Sequence, residues 1–323
     1  MHDTLSLLRE LNAHEYTSGA QIAHNLGISR ASVSLGLAKA EDYGIHLERR
    51  HGVGYRLSSP IEWLSPALIQ GYLPVESISK ITVSNTLAST NRQLLLNPLH
   101  GQLLAAEWQE CGRGRLGRTW FGALGGSLLF SYAWRFDRGS AQLAGLPLAV
   151  GVAIATALQA AGVAKIGLKW PNDLLLQDAN GEWAKVGGIL IEMQGDALGP
   201  SHVVIGIGLN IDLPAAWQGQ LDQAVACLNH GGLACGRNEL LARMIAQLEM
   251  TLTQFAETGF SPLRPQWEAL HAWSNATLNV IAANGNIQAG QFAGLAADGS
   301  LKLTSPQGEI LVHSGDVSLR RAP

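Results

Sequence analysis

The sequence predicts an α+β protein in three units: a small helical unit closed by a β-hairpin, a central mixed α+β unit, and a small C-terminal β-barrel. Three observations carry this. Apolar residues at helical spacing crowd into positions 1–60. Strand-like stretches bunch over 100–135 and 165–212 instead of alternating singly with helices, which is the α+β pattern. The final stretch, from 278 on, breaks into short apolar runs separated by Gly turns. A length of 323 residues suits two or three domains.

Taken in order, Leu5, Leu8 and Leu11 recur at helical spacing and predict a first helix. Ser18 is placed to cap a second, with Ile22, Ala23 and Leu26 on one face and Gly27 supplying the left-handed turn that ends it. Ser29 then caps a third helix, from Arg30 to about Asp42, with Val33, Leu37 and Ala40 inward. Helix, tight Gly turn, helix is the helix-turn-helix arrangement. Two short strands, 45–47 and 55–57, flank a turn that carries Glu48, Arg49, Arg50, His51 and Gly52-Val53-Gly54, and together make a β-wing. Gly36, inside the third helix, costs about 1 kcal/mol relative to Ala.

In the central unit, 167–176 and 183–192 read as two strand arms joined around Asn180-Gly181, a hairpin signal. A further strand is expected over 202–208 and an amphipathic helix over 240–255. The C-terminal strands are expected at 278–283, 288–295, 301–304 and 310–312, with turns at 284–285, 298–299 and 307–308.

Composition narrows the function classes. Charged residues are 15% of the chain, against roughly 25% in ordinary globular proteins, so long disordered or charged tails are excluded. A net charge of −3 argues against coating nucleic acid by bulk charge, but leaves room for a small reading head with local basic groups. Cys111, Cys227 and Cys235 form no C-x-x-C pair, which fits a reducing compartment without disulfides or a zinc framework. The N-terminal stretch carries charge throughout and lacks a signal-peptide core. No charge occurs between Arg138 and Lys165, yet that run is mostly Ala and Gly, broken by Gln142, Pro147, Thr156 and Gln159. It predicts a buried central helix rather than a membrane span. The expected location is cytoplasmic.

The chemistry-bearing segments follow from residue type. Gly112-Arg113-Gly114-Arg115-Leu116-Gly117-Arg118 has the spacing G-x-G-x-x-G, but extended residues (119–121 and 127–131) follow it and no helix does, which rules out a dinucleotide fingerprint. It also lacks the Gly-Lys-Ser/Thr of a P-loop. What remains is a mobile loop with three guanidiniums, whose glycines allow close backbone approach to a phosphate or carboxylate. Lys169-Trp170-Pro171-Asn172-Asp173 ends a strand, where Asn and Asp can hold a phosphate or Mg²⁺, although Pro-Asn-Asp is also a common turn. Lys185-Val186-Gly187-Gly188 aims an ammonium along an apolar strand, and Gly206-Ile207-Gly208-Leu209-Asn210 ends another with close backbone approach. Ser89-Thr90-Asn91 is suited to cap a helix beginning near Asn91.

Together, in this order, Ser89-Thr90-Asn91, the run from Glu107 through Gln109 to Arg118, Lys169–Asp173, Lys185–Glu192 and Gly206–Asn210 resemble the biotin–protein ligases. The winged N-terminal unit and the C-terminal barrel make the whole chain resemble the bifunctional type, the biotin operon repressors. The resemblance implies a winged helix-turn-helix DNA-binding domain over 1–62, a central catalytic α+β ligase domain over 63–273 and an SH3-like barrel over 274–323. It implies that biotin and ATP, with Mg²⁺, form biotinoyl-5′-AMP, and that biotin then passes to a lysine of the biotin carboxyl carrier protein of acetyl-CoA carboxylase. It also carries site residues over. Biotin would be bound by Ser89, Thr90, Asn91, Gln109, Gly112, Arg113, Gly114, Arg115, Lys185 and Gly188. The nucleotide or its phosphates would meet Lys169, Asn172, Asp173 and Asn210, with Asp173 at the metal. Lys185, Arg115 and Arg118 would carry the chemistry, offsetting the repulsion between a carboxylate and an α-phosphate. Related repressors carry another Arg where this chain has Leu116, and the segment 214–219, with Trp217, departs from the family's adenine-covering loop.

The resemblance further implies operator DNA as a partner of an adenylate-bound homodimer, through Ser29, Arg30, Ser32 and Lys39 on the third helix and Arg49 and Arg50 on the wing. Within residues 1–60, Arg9, Arg30, Lys39, Arg49, Arg50 and Arg56 balance Asp3, Glu10, Glu15, Glu41, Asp42 and Glu48. So neutral a monomer would bind DNA weakly, and a dimer would double its phosphate contacts. Three alternatives stand beside this reading: a ligase whose winged unit does not repress, a lipoate-type ligase of the same fold, and a ligand sensor whose enzyme domain has decayed.

Overall fold

The computed structural model describes residues 3–322 apart from 215, 216, 218–223, 275, 283, 284 and 316. Its N-terminal unit holds α1 (Thr4–Arg9), α2 (Gly19–Leu26), α3 (Arg30–Leu37) and the antiparallel hairpin of β1 (Leu47–Arg50) and β2 (Gly54–Leu57). The capping residues act as expected. Ser18 Oγ accepts the Gln21 N–H at 3.1 Å, Ser29 Oγ accepts the Ser32 N–H at 3.1 Å, and Gly27 ends α2 at φ +64°. Leu5, Leu7, Leu8, Ile22, Val33 and Leu37 form this unit's own core. Gly36 is explained by packing: a Cβ there would run into the Leu7 side chain of α1, so the glycine lets the two helices approach.

Two expectations in this unit are corrected. The third helix stops at Leu37, because Arg49 Nη2 donates to the Leu37 carbonyl at 3.1 Å and satisfies the helix end, and a separate 3₁₀ turn (Ala40–Tyr43) follows. Arg49 and Arg50 belong to strand β1, not to the turn, which is confined to 51–53.

The central unit is a seven-stranded sheet in the order β3-β4-β5-β9-β8-β7-β6: β3 (Lys80–Leu87), β4 (Gln102–Gln109), β5 (Ser127–Phe136), β6 (Ile166–Lys169), β7 (Asp173–Gln177), β8 (Trp183–Gly195) and β9 (Ser201–Asn210). Only β3 and β4 pair in parallel. Strand alternation sorts the faces. Leu128, Phe130 and Tyr132 of β5 and Ile205, Ile207 and Leu209 of β9 join the main core, along with α4 (Pro66–Tyr72), α6 (Leu146–Ala160) and α7 (Arg237–Thr258). The opposite face carries the short α5 (Thr90–Leu95), whose Leu94 packs on Leu104, Ala133 and Val204. The uncharged run 139–164 yields α6, buried along nearly its whole length, and no described helix is long and apolar enough to cross a membrane.

The expected single arm over 167–176 is instead two strands. β6 and β7 pair as a tight hairpin with Lys169 opposite Asp173, and Trp170-Pro171-Asn172 forms its turn. Pro171 offers no N–H to a ladder, and Asn172 turns both its carbonyl and its side chain to Ile189 of β8.

The C-terminal unit, after α8 (Arg264–Ala269), is a five-stranded antiparallel sheet in the order β13-β12-β11-β10-β14, from β10 (Thr277–Ala282), β11 (Ile287–Leu295), β12 (Leu301–Ser305), β13 (Gly308–Val312) and β14 (Val317–Arg321). The fifth strand, β14, is one the sequence reading passed over, and part of the expected turn at 284–285 lies outside the described residues. The apolar side of this sheet, with Leu278, Val280, Leu303 and Leu319, is continuous with the main core. At the joint, His271 is buried between Trp267 and Phe292, and burial pulls its pKa down to about 4, so it packs as a neutral ring.

Candidate active site

One face of the sheet is bare where β8 and β9 run side by side. Alternation turns Gly206 and Gly208 away from the core. A Cβ at Gly206 would strike the Asn91 carboxamide, and one at Gly208 would stand 2.5 Å from the Trp120 ring. Gly188 lies opposite Gly208 on β8. Lys185 is three residues from Gly188, so a regular strand would send the two to opposite faces. The register of β7 against β8 slips by one residue at Val186, and this bulge brings both to the same cavity. Backbone bonds from Lys185 to Ala224 (3.0 Å) and from Ala226 to Lys185 (2.8 Å) fix the strand there.

The cavity measures about 560 Å³. Its walls hold Ser89, Thr90, Asn91, Gln109, Arg113, Gly114, Arg115, Arg118, Lys169, Asn172, Asp173, Lys185, Gly188 and Asn210, that is, every ligand residue expected from the sequence except Gly112. Gly112 is buried just behind, its carbonyl accepting the Trp120 N–H at 2.9 Å. The residues proposed for DNA (Ser29, Arg30, Ser32, Lys39, Arg49 and Arg50) lie in the separate N-terminal unit, with the Ser29 and Ser32 hydroxyls paired at 2.9 Å.

At one end of the cavity a neutral network is already organised. Ser89 caps α5. Gln109 Oε1 accepts from the Thr90 N–H (2.6 Å) and hydroxyl (3.1 Å), and Ser131 Oγ donates to Thr90 Oγ1 (2.7 Å) or Asn91 Oδ1 (2.5 Å). Such a set of fixed donors and acceptors suits an uncharged polar ring. Toward the other end the lining is cationic. Among the described lining residues the cations are Arg113, Arg115, Arg118, Lys169, Lys185 and Arg320 and the one carboxylate is Asp173, with Glu192 outside the lining beside Arg113. Lys185 Nζ stands 2.6 Å from Asp173 Oδ1, and Lys169 Nζ stands 3.1 Å from Oδ2. Burial works against the Asp173 charge, but the two ammoniums outweigh it and hold the carboxyl below the usual carboxylate range. Lys169, buried and sharing that one carboxylate, is left below the ordinary lysine value.

A protein-held Mg²⁺ does not fit this arrangement. Each oxygen of Asp173 already faces an ammonium, and no group of three or more His, Cys, Asp or Glu side chains among the described residues is placed to hold a metal ion. The expectation of Asp173 as a metal ligand is therefore not supported by its surroundings.

The glycine loop is stapled over the cavity at two points. Arg113 Nη1 lies 3.0 Å from Glu192 Oε1. Arg115 donates to Asn172 Oδ1 (3.2 Å) and to the Gly315 carbonyl of the C-terminal unit (2.7 Å). Two cavity residues, Trp120 and Arg320, and two that support its walls, Ser131 and Glu192, were not among the expected site residues. Trp120 lies across the glycine floor with Lys185 Nζ 5.5 Å from its ring centre. Arg320 enters from β14, while Glu192 and Ser131 stand behind the lining and anchor its network through Asn91. An aromatic residue just past the loop was the available signal for Trp120, whereas nothing local marks Arg320. Trp217 packs away from the cavity, near Gly44 and at 6.4 Å from Trp108, while 215, 216, 218 and 219 of the departing segment lie outside the described residues.

Comparison with known proteins agrees with this geometry. The profile of the Biotin/lipoate A/B protein ligase family matches residues 79–210, the sheet that carries the cavity. The chain is 34% identical to the Bifunctional ligase/repressor BirA of Escherichia coli (strain K12) over 321 residues, covering 98% of this chain and 97% of that one. It is 32% identical to the Biotin–[acetyl-CoA-carboxylase] ligase of Paracoccus denitrificans over 225 residues, which cover 67% of this chain and 88% of the relative. Among solved structures, a biotin protein ligase from Aquifex aeolicus in complex with biotin and ATP superposes with a TM-score of 0.63 at 27% identity, covering 75% of this chain and 98% of that one. With its cation-lined cavity on the matched sheet and a relative that aligns nearly end to end, the chain belongs to the family of bifunctional biotin–protein ligase/repressors.

Proposed function

We propose that this protein is an ATP-dependent, AMP-forming biotin–[acetyl-CoA-carboxylase] ligase that also represses transcription. In the first step a biotin carboxylate oxygen attacks the α-phosphorus of ATP, the bond to pyrophosphate breaks, and biotinoyl-5′-AMP forms. In the second, a lysine amine of the biotin carboxyl carrier protein attacks the anhydride carbonyl, loses its proton, and AMP leaves. The observation that carries this reading is the excess of cations over carboxylates among the described lining residues of the cavity. Two anionic reactants approach each other only where fixed positive charge offsets their repulsion. Lys185, Arg115 and Arg118 supply that charge, Lys169, Asn172 and Asn210 flank the nucleotide, and the network of Ser89, Thr90, Asn91 and Gln109 meets the ureido ring. The flat Trp120 ring over the glycine floor offers a surface to an aromatic base. Any Mg²⁺ would be carried by triphosphate oxygens, not by a protein cage.

The chain would divide into units 1–62, 63–273 and 274–323, the first a winged helix-turn-helix and the last an SH3-like barrel, and would work in the cytoplasm. As the adenylate-bound homodimer it would bind operator DNA through α3 and the wing and repress the biotin biosynthetic operon. The exposed Arg30 of α3 and Arg50 of β1 support this, while Lys39, expected on the third helix, lies past its end at the start of the 3₁₀ turn and is also exposed. Incubation with ATP, Mg²⁺ and biotin should leave a tightly bound adenylate detectable by mass. Labelled lipoate in place of biotin should not compete, and a competing result would move the assignment to a lipoate-type ligase. A salt-titrated footprint on biotin-gene operator DNA should tighten when biotin and ATP are added. Equal binding in both conditions would remove the link between ligand and repression.

A further inference from the structure

We propose that Glu192 is a positioning residue that pins the glycine loop shut and so sets how long the activated intermediate stays in the cavity. The inference rests on the ligase reading above. Glu192 lies outside the cavity lining and on the same face of β8 as Gly188 and Leu190. The pairing of β7 with β8 ends at Gly188, so this stretch of β8 is free to reach the loop. Its two oxygens are divided between the two sides of the mouth. Oε1 meets Arg113 Nη1 of the glycine loop at 3.0 Å, and Oε2 accepts from Asn91 Nδ2 at 3.0 Å. Asn91 is 3% exposed, its Nδ2 also donates to the Leu190 carbonyl and its Oδ1 accepts from Ser131, so that end of the clamp is rigid. The Arg113 end is the movable one, its side chain 48% exposed.

This assigns the Arg113 guanidinium a task other than meeting substrate. The Arg113 side chain ties the loop backbone to β8 through Glu192. The tie lies in the partly solvated range, where ion pairs are worth at most about 1 kcal/mol, so it acts on the rate of loop opening and not on whether the protein folds. It is also screened by salt, with a Debye length of about 10 Å at 0.1 M.

The test measures release of pre-formed biotinoyl adenylate from full-length protein by chase with excess unlabelled biotin and ATP, at several KCl concentrations. Glu192→Gln keeps an oxygen for Asn91 and removes the charge facing Arg113. It should release the adenylate about two- to fivefold faster and should lose the salt acceleration shown by the unaltered protein. Glu192→Asp should restore part of both, and Arg113→Gln should match Glu192→Gln with no added effect in the double variant. Release at the unaltered rate in Glu192→Gln, or faster release with the salt dependence intact, would overturn the role of Glu192. Failure of the unaltered protein to form any adenylate would instead overturn the ligase reading and this inference with it.

Discussion

Asp173 is where the charge balance of the cavity turns. Without it, Lys169 and Lys185 would share a partly buried site with no counter-charge. With it, both are fixed within 3.1 Å of one carboxylate. Because folding lowers its pKa, the stability it contributes is fully present above the unfolded value near 3.9 and is lost as pH falls through the lower folded value. Asp173→Asn should therefore destabilise the protein by about 3 kcal/mol at neutral pH, and the gap from the unaltered protein should begin to narrow only below about pH 4 and close as pH falls through the lower folded value, as read by urea unfolding at a series of pH values. Lys185→Ala acts on chemistry. On the proposed reading it removes a cation from where the two anionic reactants meet, and it should lower adenylate formation by about 10²–10³-fold, with the melting temperature little changed. Pyrophosphate release at the unaltered rate would contradict that assignment.

At the scale of elements, two departures from regular strands build the site. The bulge at Val186 re-aims β8 so that Lys185 and Gly188 share a face, and the tight β6–β7 turn brings Asp173 under Lys185. Neither is legible in a hydrophobic pattern, because one inserted residue changes which face a side chain takes without changing composition. The glycines of β9 were legible as close approach, and the partners they admit, Asn91 and Trp120, were not. Gly208→Val should push Trp120 off its floor and weaken ATP binding at least about tenfold by calorimetry, an overpacking cost of 1–3 kcal/mol. Far-UV circular dichroism should be unchanged.

Across the whole molecule, the N-terminal unit is joined to the ligase by a clamp, not by a free linker. Glu62 accepts from the N–H groups of Arg237 (2.6 Å) and Asn238 (3.1 Å) at the start of α7. Glu107, fully buried, meets Arg237 at 3.1 Å, the Leu64 N–H at 2.6 Å and Arg9 of α1 at 3.6 Å. Tyr43 packs on Trp108 with ring centres 4.8 Å apart, and Leu124 of the central unit completes the N-terminal core. Removing residues 1–60 keeps Glu62 in place, so adenylate formation should persist while operator binding is lost. Extending the deletion to 64 removes the cap of α7 and should cost about another 1 kcal/mol, seen as a further drop of about 2–4 °C in melting temperature.

The sequence alone determined the helix caps at Ser18, Ser29 and Ser89, the α+β class, and the motifs that line the cavity. Each of these depends on residues within a few positions of one another, where backbone geometry and residue chemistry act directly. Tertiary structure decided the rest: the split of 167–176 into two strands, the fifth C-terminal strand that delivers Arg320, the two ammoniums on Asp173, and the hold of Glu192 on Arg113. Those contacts join groups far apart along the chain, and pairing register and burial, set only when the sheet assembles, choose among the many partners that local pattern leaves equally open.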